Sequence, residues 1–232
     1  MSENENNTPT TLRGGKLNSS HEVILNQTIY QLKIILVGDT SVGKTSLVNR
    51  FMGYDFEENL KCTVNADFKI KSVSISSNIG AELTVWDTCG QERFRSMTRQ
   101  YFKDAHGVVL VFDVGDLESY NNLSSWMKEI KTNSNRDPEI VLVANKIDRE
   151  DRKVTKETGM KFAEKNGIMY TETSSKEGIN IDSPFEKLAN SLIDKIKKDP
   201  NFHINTTDYN SKNFRENNDD FERRREKDVK CC

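Results

Sequence analysis

The sequence predicts an α/β fold, a mostly parallel six-stranded sheet with one antiparallel edge strand and helices on both faces. Three observations carry this expectation. Short apolar runs ending in turn residues recur through the middle of the chain, segments with one apolar helical face lie between them, and one pair of alternating segments is too closely spaced for a helix to intervene. At 232 residues, one domain of ordinary size plus non-core sequence is expected.

Residues 1–29 are rich in Asn, Thr, Ser and Glu without a sustained period and read as a disordered extension. They lack the apolar core of a signal peptide and the glycine that myristoylation requires, so the chain is expected to stay in the cytosol. The folded domain is assigned to residues 30–197. Its first strand is Lys33-Ile34-Ile35-Leu36-Val37, and a helical segment containing Leu47, Val48 and Phe51 follows. Phe68 to Ile75 and Leu83-Thr84-Val85-Trp86, joined through Ser77-Asn78-Ile79-Gly80, read as the antiparallel hairpin at the sheet edge.

The next strand is Val108-Val109-Leu110-Val111-Phe112; with its flanks it is the longest apolar stretch and far short of the roughly 20 residues that span a bilayer. Tyr120, Leu123, Trp126, Met127 and Ile130 share a helical face. Strands at Ile140-Val141-Leu142-Val143 and Met169-Tyr170-Thr171-Glu172-Thr173 come next. The last helix buries Phe185, Leu188, Ala189, Leu192, Ile193 and Ile196; Ser183 is its expected cap, with Pro184 at the first helical position and Glu186 completing a capping box. Residues 198–232, rich in Asn, Asp, Lys and Arg, read as a disordered tail.

Opposite charges nearly cancel, to a formal net charge of −2, which leaves no electrostatic footprint for nucleic acid. Four cysteines, two of them the final residues, make a poor disulfide framework.

Gly38-Asp39-Thr40-Ser41-Val42-Gly43-Lys44-Thr45 matches the phosphate-loop pattern between a buried strand and a helix. Successive backbone N–H groups there wrap a β-phosphate at a helix N-terminus, Lys44 adds positive charge, and the Thr45 hydroxyl reaches a magnesium ion. The fold is therefore read as that of a P-loop NTPase, with ATPases, nucleotide kinases and GTPases all still open. Asn145-Lys146-Ile147-Asp148 narrows the choice, because it ends a buried strand at the crevice where parallel sheets bind ligands. The Asp148 carboxylate matches the N1–H and exocyclic amine of guanine, whereas adenine offers no such donor pair. The Lys146 stem is placed over the purine face, and Asn145 ties this loop to the phosphate loop.

With these two motifs in place the sequence resembles the Ras superfamily, and the Rab family in particular, across roughly Leu32 to Lys197. Trp86-Asp87-Thr88-Cys89-Gly90-Gln91-Glu92-Arg93-Phe94 is similar to the Rab W-D-T-A-G-Q-E-R-F segment, and Thr173-Ser174-Ser175-Lys176 to the loop whose amides approach the guanine oxygen. The resemblance implies that Asp87 holds magnesium through water, the Gly90 amide contacts the γ-phosphate, and Gln91 orients the attacking water. It likewise implies that Thr63 joins Thr45 and Asp87 in the magnesium shell only when the γ-phosphate is present, and that Ser174, Ser175 and Lys176 complete the nucleotide site. Phe68, Trp86, Phe94 and Tyr101 read by themselves as ordinary core or surface hydrophobics, and the resemblance implies that several of them form an effector-facing patch.

A switch cycling between GTP and GDP in vesicle trafficking is implied, with an exchange factor, an activating protein, effectors and an escort chaperone as partners. Cys231-Cys232 does not fit C-a-a-X, since Val229 stands fourth from the end, but is similar to Rab termini carrying two geranylgeranyl groups. Two lipids anchor stably where one does not, so the cytoplasmic face of a membrane is expected, with a cytosolic pool. Arg223, Arg224, Arg225, Lys227 and Lys230 offer some attraction to anionic lipid, but with Glu222, Glu226 and Asp228 diluting it the cluster reads mainly as a solvated tail.

Three departures from the Rab pattern stand out: Asn65 for glycine, Cys89 for alanine, and bulkier Thr40 and Ser41 in the phosphate loop. Crowding by Thr40 near the γ-phosphate predicts slow intrinsic hydrolysis. Two other classes remain to be separated, a GTP-bound scaffold that scarcely hydrolyses and an ATP-dependent P-loop enzyme; Gln91 weighs against the first and Asp148 against the second.

Overall fold

The computed structural model of the chain describes residues 27–60, 63, 66–88, 101–199 and 204–209. β1 (Gln27–Val37) leads through a turn into α1 (Lys44–Phe51), and β2 (Asp67–Ser76) and β3 (Ile79–Asp87) form a hairpin. β4 (Gly107–Asp113), α2 (Leu117–Asn121), α3 (Leu123–Asn133) and β5 (Glu139–Asn145) follow, then α4 (Lys156–Asn166), β6 (Met169–Glu172), α5 (Ser183–Lys198) and β7 (Thr206–Tyr209). The main path of the sheet runs β2-β3-β1-β4-β5-β6, and within it only the β2–β3 pairing is antiparallel.

Strand alternation divides the core between the two faces of the sheet. Leu32, Ile34 and Leu36 of β1 turn to one face, where they meet Leu47, Val48 and Phe51 of α1 and Phe185, Leu188 and Leu192 of α5. Ile35 and Val37 turn to the other, against Leu110 and Phe112 of β4 and Trp126 and Ile130 of α3. All of these side chains are buried, and each large one contributes on the order of 2 kcal/mol through lost apolar exposure. The Phe51 and Phe185 rings stack at 3.8 Å between centroids and join α1 to α5.

The hairpin, the parallel strands and the buried faces of α3 and α5 match the expectation. Four details differ. The long helical segment around Tyr120 is two helices meeting at Asn122. α4, which has only a thin apolar face and Gly159 packed against the Tyr170 ring, carries no strong period in the sequence. α5 begins at Ser183 itself, after Asp182, without a side-chain cap; the Ser183 hydroxyl instead lies 3.2 Å from that of Thr171.

The fourth difference corrects the domain boundary. Residues 206–209, assigned to a disordered tail, form β7 antiparallel to residues 27–30 of β1, so ordered structure extends beyond 30–197 at both ends. The reason is an open edge. β4 pairs with β1 only from Ile34 onward, which leaves the first half of β1 without a neighbour on that side, and an unpaired strand edge invites pairing. The tail supplies it: Gln31 N–H donates to the Asn205 carbonyl at 2.9 Å, and Ile204 packs on the core. Farther along the same edge the side chain of His106 stands in for a strand, accepting from Lys33 N–H at Nδ1 over 2.8 Å.

Candidate functional site

The loop between β1 and α1 is built by two glycines that no other residue can replace. Gly38 has φ +141°, and a Cβ there would lie 2.2 Å from the Val111 carbonyl oxygen. Gly43 has φ +96°, and its Cβ would meet the Asn145 amide nitrogen at 2.4 Å. Both positions therefore demand a residue without a side chain. Lys44 opens α1 and is buried; its ammonium donates to the carbonyls of Gly38 at 2.9 Å and Asp39 at 2.6 Å. The loop thus curls around its own cation at a helix N-terminus, an arrangement whose charge and free N–H groups suit an anion.

Of the loop residues, Thr40, Ser41, Gly43, Lys44 and Thr45 line a cavity of about 330 Å³. Gly38, Asp39 and Val42 do not: Gly38 lies against the Val111 carbonyl, Val42 is buried in the core, and the Asp39 carboxylate turns outward to α3, so all three serve the loop through their backbone.

Thr45, Thr63 and Asp87, drawn from α1, the loop before β2 and the end of β3, converge beside the cavity. The Thr45 hydroxyl donates to Asp87 Oδ2 at 2.6 Å and lies 2.8 Å from the Thr63 hydroxyl. Asp87 Oδ1 is buried and has no hydrogen-bond partner among the described residues. Burial raises the Asp87 carboxyl above its ordinary range, opposed by the Thr45 hydrogen bond and the Lys44 charge. An orphaned carboxylate oxygen beside two hydroxyls fits a hard cation that completes its shell with water and phosphate oxygens, as magnesium does. Among the described residues no cluster of three His, Cys, Asp or Glu side chains offers a denser alternative.

The base end is organised by Asn145, which is fully buried at the end of β5. Its amide donates to the Val42 carbonyl at 2.9 Å, and its oxygen accepts from Thr173 at 3.0 Å and Ser175 at 3.3 Å. One side chain therefore ties the phosphate loop to both base loops. Lys146 takes a left-handed backbone at φ +64°, and its ammonium donates to the Ser41 carbonyl at 2.7 Å while pairing with Asp113 at 2.9 Å. That leaves the Lys146 stem along the cavity wall. The Asp148 carboxylate accepts from the Ser174 hydroxyl, and Asp148, Ser175 and Lys176 line the same cavity.

The expected residues from Gly38 to Lys176 that are described are thus brought together, with Asp39 and Val42 as the two whose side chains face elsewhere. Gly90, Gln91, Cys231 and Cys232 lie outside the described residues, as do Asn65, Cys89 and Phe94. Of the aromatic patch, Phe68 and Trp86 lie 5.0 Å apart and Trp86 and Tyr101 5.2 Å apart, with Phe68 half exposed. Sequence reasoning missed Phe56, Glu57, Glu58 and Leu60 on the cavity wall and the contacts of Asn122 and Trp126 with Asp39. Phe56 sits in an irregular segment where no period marks it; the Asp39 contacts join residues more than eighty positions apart.

A model of the Ras family matches residues 33–194. The chain is 40% identical over 166 residues to the Ras-related protein Rab-18 of Lymnaea stagnalis, covering 71% of this chain and 82% of that one. It is 41% identical over 172 residues to Rab-12 of Homo sapiens, covering 73% and 70%. Against Rab-13 of Canis lupus familiaris the identity is 42% over 162 residues, covering 69% and 79%.

Proposed function

The chain belongs to the Ras family, in its Rab branch, and from that membership we propose that the cavity between the phosphate and base loops is its guanine-nucleotide site, with magnesium at Thr45, Thr63 and Asp87. As a Rab-like small GTPase it binds and hydrolyses GTP and regulates vesicle trafficking. The observation that carries the site assignment is Asn145, a buried amide that joins the phosphate loop to the base loops and sets a fixed spacing between phosphate and base.

In this reading Lys44 and the loop amides neutralise the phosphates, Asp148 selects guanine, and Lys146 covers the base. Magnesium, when bound, offsets charge on the β- and γ-phosphates. Thr63 senses the γ-phosphate: with it the loop before β2 is held in place, and without it that loop is released, which changes the surface offered to effectors. Gln91 orients the water that attacks the γ-phosphate. Exchange factor, activating protein, effectors and an escort chaperone act on this cycle. Geranylgeranyl groups on Cys231 and Cys232 hold the protein on the cytoplasmic face of a membrane. No helix among the described residues is long and apolar enough to cross one.

The base assignment is tested by Asp148→Asn. An asparagine offers one acceptor and one donor where the carboxylate offers two acceptors, so GDP affinity should fall by about a hundredfold or more. Xanthosine diphosphate, which carries a carbonyl in place of the exocyclic amine, should bind the variant better than the parent. Unchanged GDP affinity by competition against a fluorescent GDP would remove Asp148 from the site.

A further inference from the structure

A carboxylate is an unexpected side chain in a loop that wraps phosphate, because like charges at close range repel. The structure answers this by what it does with Asp39. Asp39 Oδ1 accepts from the Trp126 indole N–H at 2.7 Å, and Asp39 Oδ2 accepts from the Asn122 amide at 2.7 Å. Each oxygen thus has a donor on the side of the loop away from the cavity. Both donors come from the start of α3, which packs on the second face of the sheet; Trp126 is buried there and Asn122 is the residue preceding the helix.

Two further observations make this more than a satisfied tryptophan. A buried indole N–H requires an acceptor, but any main-chain carbonyl would serve. Here the acceptor is a charged group whose own carbonyl holds the Lys44 ammonium at 2.6 Å. The hydrogen-bond chain therefore runs from α3 through the side chain of Asp39 to its backbone and on to the cation that faces the phosphates. Asn122, moreover, stands at a helix-capping position yet makes no side-chain cap. Its amide is committed to Asp39 instead.

We propose that Asn122 and Trp126 are positioning residues for the nucleotide: they keep the Asp39 carboxylate turned away from the phosphates and so hold the loop and Lys44 in the binding geometry. Released from them, Asp39 is a mobile negative charge beside a polyanion, and the nucleotide leaves faster. The inference rests on the cavity being the guanine-nucleotide site.

The test is a coupling experiment on the full chain loaded with fluorescent GDP and magnesium, with release followed after addition of excess unlabelled GDP. Asn122→Ala and Trp126→Phe should each speed release about tenfold, the scale of one hydrogen bond to a charged group. Combined with Asp39→Ala, neither should accelerate release further, because the charge they restrain is gone. Equal acceleration with and without Asp39 would mean that they merely stabilise α3, and no acceleration in the presence of Asp39 would be equally fatal; either result overturns the proposal. If Trp126→Phe does not fold, Asn122→Ala decides alone, since it removes no cap. A parent protein that retained GDP no better than ADP would instead refute the nucleotide assignment itself, whatever the variants did.

Discussion

Thr40 stands exposed on the cavity wall, between Asp39, whose carbonyl holds Lys44, and Ser41, whose carbonyl accepts from Lys146. A β-branched side chain at that position has few rotamers with which to clear the space a γ-phosphate and its attacking water need. Thr40→Gly is expected to raise single-turnover GTP cleavage by roughly tenfold, about 1.4 kcal/mol of barrier; an unchanged rate would show that crowding is not what limits hydrolysis. His106 makes a second prediction. Burial, with Arg136 and Lys33 nearby, lowers its pKa to about 4, and its Nδ1 must stay unprotonated to accept from Lys33 N–H. The unfolded chain protonates near 6.5 and the folded one near 4, so between these values the unfolded state binds more protons. This contribution to stability is complete above pH 6.5 and is lost as pH falls toward 4. His106→Asn, which keeps an acceptor and does not titrate, should flatten the fall of Tm over that window relative to the parent.

β7 shows what an element owes to its neighbours. Thr206 to Tyr209 is short and polar, and although its threonines and tyrosine suit a strand, four residues without an apolar alternation do not mark one; the pairing arises because β1 outruns β4 and exposes a ladder edge. Removing residues 200–232 should therefore speed amide exchange at Gln31, whose N–H donates to Asn205, and should lower stability by roughly 1 kcal/mol. Protection at Gln31 that survived the truncation would refute the docking of this segment. The helices divide in the same way. α5 was legible because its apolar positions recur at helical spacing over four turns, whereas α4 was not, since a glycine and a narrow apolar stripe weaken its period. α5 starts one residue before the expected position, and the hydroxyl of Ser183 lies 3.2 Å from that of Thr171, a residue distant in sequence that no local pattern points to.

The molecule as a whole places its polar machinery where the parallel strands end, with loops after β1, β3, β5 and β6 converging on one cavity. Asp87 Oδ1, buried and without a hydrogen-bond partner among the described residues, and the Lys44 ammonium, held by the Gly38 and Asp39 carbonyls, lie there with opposite sign, and the proposed ligand of phosphate with a divalent cation matches both. Binding of that pair should stabilise the native state by mass action, about 4 kcal/mol at a thousandfold excess over Kd. A thermal melt with GDP and magnesium should lie well above one in EDTA without nucleotide, and a melt indifferent to both would contradict the site.

The glycine-built loop after β1, the loop of residues 145–148, the hairpin and the apolar faces could all be read from local order, because turn chemistry and periodicity are properties of neighbouring residues. What depended on the folded chain was every relation between distant ones. Asn145 reaching Val42, Asp39 turning to Trp126, Phe56 entering the cavity and β7 closing an open edge all come from proximity that the sheet creates. The physical reason is that a motif specifies the groups a ligand needs, while the direction in which each side chain points is set by whatever the rest of the fold brings within hydrogen-bonding distance.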